Sequence, residues 1–385
     1  MRLVLIGCCC FVAAKFAGAQ PPAVPNAIPG SPRWFFGAVP AEPPVDLTSS
    51  AGQQYVQALA ALGREDLVSG LAGRVARPGE CEGMSSNAGS IVEHLAELAK
   101  STRVVIINEA HDEPRHRELT RQLAIALRRE GYTHFAAEAF ASSADRNPAE
   151  RFGRIDAGYY ASEPAFGRLI RTVKELGYEL VSYEHSASAE DGANADRTAA
   201  IAAREEGQAN NLIARIFAED WRTKALIHVG PSHAAEVPIP SFNESMQWMA
   251  ARLKAKTGID PLTVDQTYCA SPSGDLNLTA PTALMPAGAF DVAVAYPSPV
   301  LFRGRPQWRI DSGAIAIELP ATLVSEQRTI IEARYADEPF DAIPVDRLLL
   351  RARESVPLLL PAGRIRLLQL YEDGTPPRSS IMDVQ

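Results

Sequence analysis

Short β-branched runs alternate with helix-length amphipathic stretches through most of this 385-residue chain. That alternation predicts an α/β fold with a mainly parallel central β-sheet flanked by helices. Two further observations point the same way. The apolar runs end in clusters of ionisable residues, as the strands of one parallel sheet do when a site lies beyond their carboxyl ends. Past Trp308 the texture changes to GAIAIEL, RTIIEARY, DRLLLRA and GRIRLLQLY, split by Pro, Gly and acidic residues. This predicts a small C-terminal antiparallel β region over 309–385.

The N-terminus stands outside that pattern. Arg2, the apolar run LVLIGCCCFVAA and the small-x-small triplet Ala17-Gly18-Ala19 form a secretory signal peptide over 1–19, with cleavage near Ala19. The chain is therefore expected to be secreted or periplasmic. An alternative is that Leu5-Ile6-Gly7-Cys8 is a lipoprotein box, in which case a lipidated Cys8 would tether the protein to a membrane. No later stretch approaches the roughly 20 apolar residues of a transmembrane span. Residues 20–47, rich in Pro and Ala, read as an extended, poorly ordered leader, and the α/β domain is expected over 48–308. Cys8, Cys9 and Cys10 leave with the signal. For Cys81 and Cys269, one disulfide and two unpaired thiols both stay open.

In order, YVQALAALG places a helix within 50–73, 78–89 is a loop, and Ile91, Leu95 and Leu98 mark a helical face over 91–100. VVIIN ends a strand over 103–108. A helix follows from Asp112, taken as N-cap, with Pro114 in its first turn, a stripe of Leu119, Leu123, Ala126 and Leu127, and Gly131 at its end. FAAEAF is a strand carrying Glu138. Helices are expected over 163–176, 195–219 and 243–256. Strands are expected over 178–184, 225–230, 262–268 and 290–296.

Composition narrows the partners. Apolar residues make up 46% and charged residues 22%, which is ordinary for a globular protein. The net charge of −8, with Lys and Arg scattered, excludes the basic patch of a nucleic-acid binder. The expected partner is a small-molecule or peptide substrate.

The chemistry-bearing positions are strand ends. Glu109 and His111 close the first strand, Glu138 the second, Tyr183, Glu184 and His185 the third, and Gly230 to His233 the fourth. A carboxylate beside an imidazole fixes its tautomer and raises its basicity, as general acid–base catalysis requires. His111 or His233 would activate water, with Glu109 or Glu138 orienting it. Arg115, His116 and Arg117 stand in the first helical turns, where cations and free amides favour an anion or oxyanion. His228, inside a strand, reads as a hydrogen-bonded core residue. The same four residues, Glu109, His111, Glu138 and His233, are also a donor set for a divalent metal.

The run Asn108-Glu109-Ala110-His111-Asp112, continuing through Pro114, His116 and Arg117, resembles the strand-end Gly-Glu-x-His-Asp motif of the ChaN-like haem-binding lipoproteins. Those belong with the erythromycin esterases and the TraB/Tiki metalloproteases. Gly230-Pro231-Ser232-His233 resembles the Gly-x-x-His motif of that superfamily, and Glu138 and the segment Arg204 to Asn210 fall between them in order. The resemblance spans about residues 90 to 300. It implies Glu109, His111, Glu138 and His233 as the active set, with Arg204 in support. Asn108 departs from it, standing where Gly is usual. Three functions follow as expectations. The first is a hydrolase with a His/Glu-activated water acting on an ester or amide. The second is a haem-binding protein using Tyr159, Tyr160, Tyr183 or a histidine as axial ligand. The third is a Tiki-like metal-dependent protease.

Overall fold

The computed structural model of the protein describes residues 28–69, 71, 79–81, 90–144, 147–185, 197–241, 244–271 and 274–385. The expected signal peptide, with Cys8, lies outside the described residues. The central sheet has seven strands: β1 (Val104–Asn108), β2 (His134–Ala137), β3 (Glu179–Ser182), β4 (Ala225–Val229), β5 (Leu262–Asp265), β6 (Asn277–Thr279) and β7 (Val292–Ala295). Their spatial order is β6-β7-β5-β1-β4-β2-β3, and only the β6–β7 pair is antiparallel. The chain is an α/β protein of the expected class.

The β-branched run of β1 is buried on both faces. Val105 and Ile107 enter one core, Val104 and Ile106 the other. The first core is closed by α1 (Ile91–Leu98), α2 (Arg115–Arg129) and α3 (Pro164–Glu175) through Leu95, Leu119, Leu123, Leu127, Leu169 and Val173. The second is closed by α4 (Arg197–Leu212) and α5 (Met249–Thr257) through Leu212, Met249 and Leu253. Among the described residues no helix is long and apolar enough to cross a membrane.

Several boundaries differ from expectation. Asp112 is not the N-cap of α2. Pro114 takes that position and Asp112 lies in the preceding turn. The helix expected to run to 219 leaves α geometry at Ile213 and continues as a π-turn to Phe217. The one expected from 243 begins at Met249, because Glu244–Met246 pairs with Ile239–Ser241 as a hairpin.

Residues 28–47 are not an extended leader. Pro32–Ala38 is a helix with Pro in its first turn, where the missing N–H costs nothing. Phe35, Val39 and Leu47 pack with Tyr55, Val56 and Leu59 of the helix Ser50–Ala61. Proline content suggested solvation, but the Trp34-Phe35-Phe36 triplet brings enough apolar area to dock the segment. It docks on the C-terminal region, whose strands are β8 (Ile315–Ile317), β9 (Thr329–Tyr335), β10 (Asp346–Leu350), β11 (Leu358–Leu360), β12 (Gly363–Tyr371) and β13 (Arg378–Val384). The antiparallel sheet β10-β9-β12-β13 turns Ile330 and Leu349 toward the N-terminal helices. Ile331, Leu348 and Leu350 face the β8–β11 ribbon on the other side. Arg347, with 0% of its surface exposed, pairs with Glu332 and donates to the carbonyls of Ser162 and Gly30.

Cys81 and Cys269 form a disulfide with their Cα atoms 5.4 Å apart, which resolves the open alternative in favour of the bridge. It ties the strand pairing of residues 79–80 with 269–270 to the edge of the main sheet.

Candidate active site

Strand β4 lies between β1 and β2, and this placement assembles the site. The pairing continues past the strand ends: the Glu109 N–H donates to Val229 O at 2.8 Å and the Glu138 N–H to His228 O at 3.0 Å. Glu109 and Glu138 therefore flank the Gly230 turn at the carboxyl edge of the sheet, where the order of strands reverses.

The first half of the site is built on Glu109. His111 donates from Nδ1 to its Oε1 at 2.9 Å, His228 donates from Nε2 to its Oε2 at 2.9 Å, and Arg117 donates from Nε to Oε2 at 2.6 Å and from Nη2 to Oε1 at 2.9 Å. Burial alone would raise the Glu109 carboxyl pKa. Arg117, His228 and His111 outweigh that and hold it well below the usual carboxylate range. Arg117 is itself buried and also donates to Glu163 at 2.8 Å. Glu163 caps α3 by accepting from the N–H groups of Ala165 and Phe166. An ionised carboxylate only accepts, so His111 Nδ1 carries a hydrogen, and in the neutral ring the lone pair is on Nε2. Tyr160 stacks on the His111 ring with centroids 3.9 Å apart.

The second half is built on Glu138. Its Oε1 accepts from Arg204 Nη2 at 2.7 Å and lies 3.2 Å from His233 Nε2, while its Oε2 accepts from the Gly230 N–H at 2.7 Å. The other His233 nitrogen faces Glu205 Oε2 at 2.8 Å, which also accepts from the Met249 N–H at the start of α5. Burial disfavours the imidazolium, yet Glu138 and Glu205 outweigh it and lift the His233 pKa to about 8. Glu138 is pushed up by burial and pulled down further by His233 and Arg204, to about 2. Arg204 also pairs with Glu184, which accepts from Gln208 too.

The halves meet beside Gly230. A Cβ built there would lie 3.1 Å from Glu138 Oε2 and 3.3 Å from His111 Nε2. The glycine is required by this close approach rather than by its dihedrals, since φ is −71°.

Six of the expected residues thus converge directly: Glu109, His111, Arg117, Glu138, His233 and Arg204. Gly230 separates the two halves and Glu184 backs Arg204. Arg115 does not join them. It donates to Pro297 O at 2.6 Å and lies over the Tyr296 ring, on the outer side of the turn. His116 is inward but structural: its Nδ1 accepts from the Ala110 N–H at 3.0 Å, and burial with the neighbouring Arg115 holds it neutral. Tyr183 is buried in the second core and its hydroxyl has no hydrogen-bond partner among the described residues.

Four contributors escaped the sequence reading: Glu205, Glu163, Tyr160 in its stacking role, and His228 as a partner of Glu109. His228 does read as a hydrogen-bonded core residue, but its partner sits on another strand. Asn108 is not a pocket-narrowing residue. It donates to Asp265 Oδ1 at 2.8 Å and Pro231 O at 2.9 Å and accepts from the Gln266 N–H, which ties β1 to β5 and to the Gly230 turn.

The donor set does not fit a divalent metal. Both oxygens of Glu109 are taken by Arg117, Glu138 faces Arg204, and both His233 nitrogens face carboxylates, so a cation would meet two guanidinium groups. Among the described residues no group of three or more His, Cys, Asp or Glu side chains is gathered to hold one. Haem does not fit at Tyr183 or Tyr159 either, because both phenol oxygens are enclosed away from solvent.

No family model matches this sequence, and no curated protein matches it. Solved structures do match. ChaN of Campylobacter jejuni, described with cofacial haem binding, is 13% identical over 55% of this chain and 94% of its own, with a TM-score of 0.38. The type III effector HopBA1 is 12% identical over 57% of this chain and 97% of its own, also at 0.38. A bacterial protein toxin is 16% identical over 47% of this chain at a TM-score of 0.35, and the match spans only 38% of the toxin. ChaN is the family whose strand-end motif this sequence resembles. At scores this low the likenesses assign no chemistry to any residue.

Proposed function

We propose that this chain is a hydrolase that activates water for attack on an ester or amide bond. The observation that carries the reading is the convergence, beside Gly230, of His111 Nε2 and an ionised Glu138 Oε2. Each is held by its own buried network. Water held between these two groups would give one hydrogen to His111 Nε2 as its oxygen attacks the carbonyl carbon, while Glu138 accepts the other hydrogen and fixes the attacking lone pair. Glu109 stabilises the imidazolium that forms, and His111 then returns the proton to the leaving alkoxide or amine. His233, with both nitrogens engaged, acts by positioning Glu138 between itself and Arg204 instead of by donating to substrate. The Cys81–Cys269 disulfide supports an oxidising compartment, in keeping with a secreted or periplasmic chain.

The test is a panel of ester and peptide substrates with His111→Ala and Glu109→Gln as controls. Activity should fall by about a hundredfold to ten-thousandfold in folded His111→Ala, the usual weight of a general base. Wild-type turnover persisting in that variant would overturn the assignment. EDTA should leave activity intact, and haem titration should leave the Soret band of free haem unshifted. The opposite results would favour the metalloprotease and haem-binding readings respectively.

A further inference from the structure

A second cleft lies away from the His111 site, between α3 and the C-terminal strands. Its volume is about 180 Å³, smaller than a drug-sized site and suited to a small ligand. Arg168, Arg171 and Arg309 line it together with Trp308 and Tyr335, and no carboxylate does.

Carboxylates stand behind the arginines and set how each is held. Asp346 Oδ1 accepts from both Arg305 at 2.7 Å and Arg309 at 2.6 Å, and the buried Glu65 faces the same two guanidinium groups. Glu118 is already held at both oxygens by Arg121, at 2.7 and 2.9 Å, and lies 3.4 Å from Arg168. Arg168 keeps 41% of its side chain exposed and spends its one short bond on the Ser312 carbonyl. Arg171 gives Nε and Nη2 to Glu338, and its buried Nη1 has no acceptor among the described residues. The cleft thus presents Arg168, partly exposed and sharing Glu118 with Arg121, beside two aromatic side chains. A forked guanidinium pairs best with a carboxylate or phosphate, and aromatic walls with a planar ring.

We propose that this cleft binds a small planar organic anion, an aromatic carboxylate, with its charged group on Arg168 and its ring against Trp308 and Tyr335. The site is independent of the hydrolase reading, since none of its arginine or aromatic lining residues bonds to the His111 network. Calorimetric titration of the whole protein with 2-naphthoate tests it, with the isosteric neutral 2-naphthamide as comparison. Saturable one-site binding of the acid is expected. The amide, and the acid with Arg168→Met, should each bind about tenfold more weakly or worse, as losing one charge-assisted contact implies. His111→Ala should bind the acid as wild type does. Failure of the acid to saturate, equal binding of acid and amide, or loss of binding in His111→Ala would overturn the proposal. The acid–amide comparison needs no variant, so it decides even if Arg168→Met does not fold.

Discussion

Gly230→Ala separates chemistry from folding at the site. Gly230 has φ −71° and ψ 173°, an extended conformation that alanine adopts freely. Its N–H bond to Glu138 Oε2 at 2.7 Å is kept, because it involves only the backbone. The new methyl carbon would sit 3.1 Å from Glu138 Oε2 and 3.3 Å from His111 Nε2. Both atoms are side-chain tips that can yield by a few tenths of an ångström. The expected cost in stability is about 1 kcal/mol, the lower end of overpacking penalties. The methyl occupies the volume assigned to the attacking water, so kcat should fall by about a hundredfold or more, as misplacement of a reacting group by about 1 Å does. Steady-state kinetics on the best substrate of the panel, beside a urea titration, measures both quantities. A variant that melts like wild type and keeps more than about a tenth of kcat would refute the placement of water between His111 and Glu138.

Other perturbations report on the supporting networks. Arg117→Met leaves the Glu109 charge buried without its main partner and should cost about 3–5 kcal/mol in urea unfolding, whereas a loss below about 1 kcal/mol would contradict the network. His233, with its folded pKa of about 8 above the unfolded 6.5, contributes about 2 kcal/mol that is fully present below pH 6.5 and lost as pH rises through 8. An NMR titration of its ring should show a midpoint near 8, and a midpoint under 6.5 would be incompatible with the Glu205–His233–Glu138 arrangement. Glu138 moves the other way: its contribution is present above pH 4.5 and lost as pH falls through about 2. Tyr160→Leu removes the face stacked on His111 and should alter the pH–rate profile with little change in melting temperature, while Tyr160→Phe should behave as wild type. Cys81→Ser with Cys269→Ser opens a cross-link spanning 188 residues. It should lower unfolding free energy by about 2–4 kcal/mol without changing kcat.

How much of this could be read in advance depends on the distance over which each interaction acts. Within a strand or helix, alternation and spacing are local, so β1, α2 and the class of the sheet follow from runs such as VVIIN and the Leu119–Leu123–Leu127 stripe. Strand ends are local features too, and once the sheet is parallel they must share an edge. Glu109, His111, Glu138 and His233 were legible as one set for that reason. The sequence could not say which strand lies beside which. Only the insertion of β4 between β1 and β2 brings His228 onto Glu109 and Gly230 onto Glu138. The docking of α4 and α5 brings Glu205 under His233, and the docking of α3 brings Glu163 onto Arg117. The N-terminal segment shows the same limit, since its prolines describe the isolated chain while the partners that bury Phe35 lie some 300 residues away in Ile330 and Leu349. Local pattern thus determined the elements and the candidate residues. Tertiary packing decided which of those residues are held, ionised and brought face to face, because burial and charge pairing depend on neighbours that no local spacing encodes.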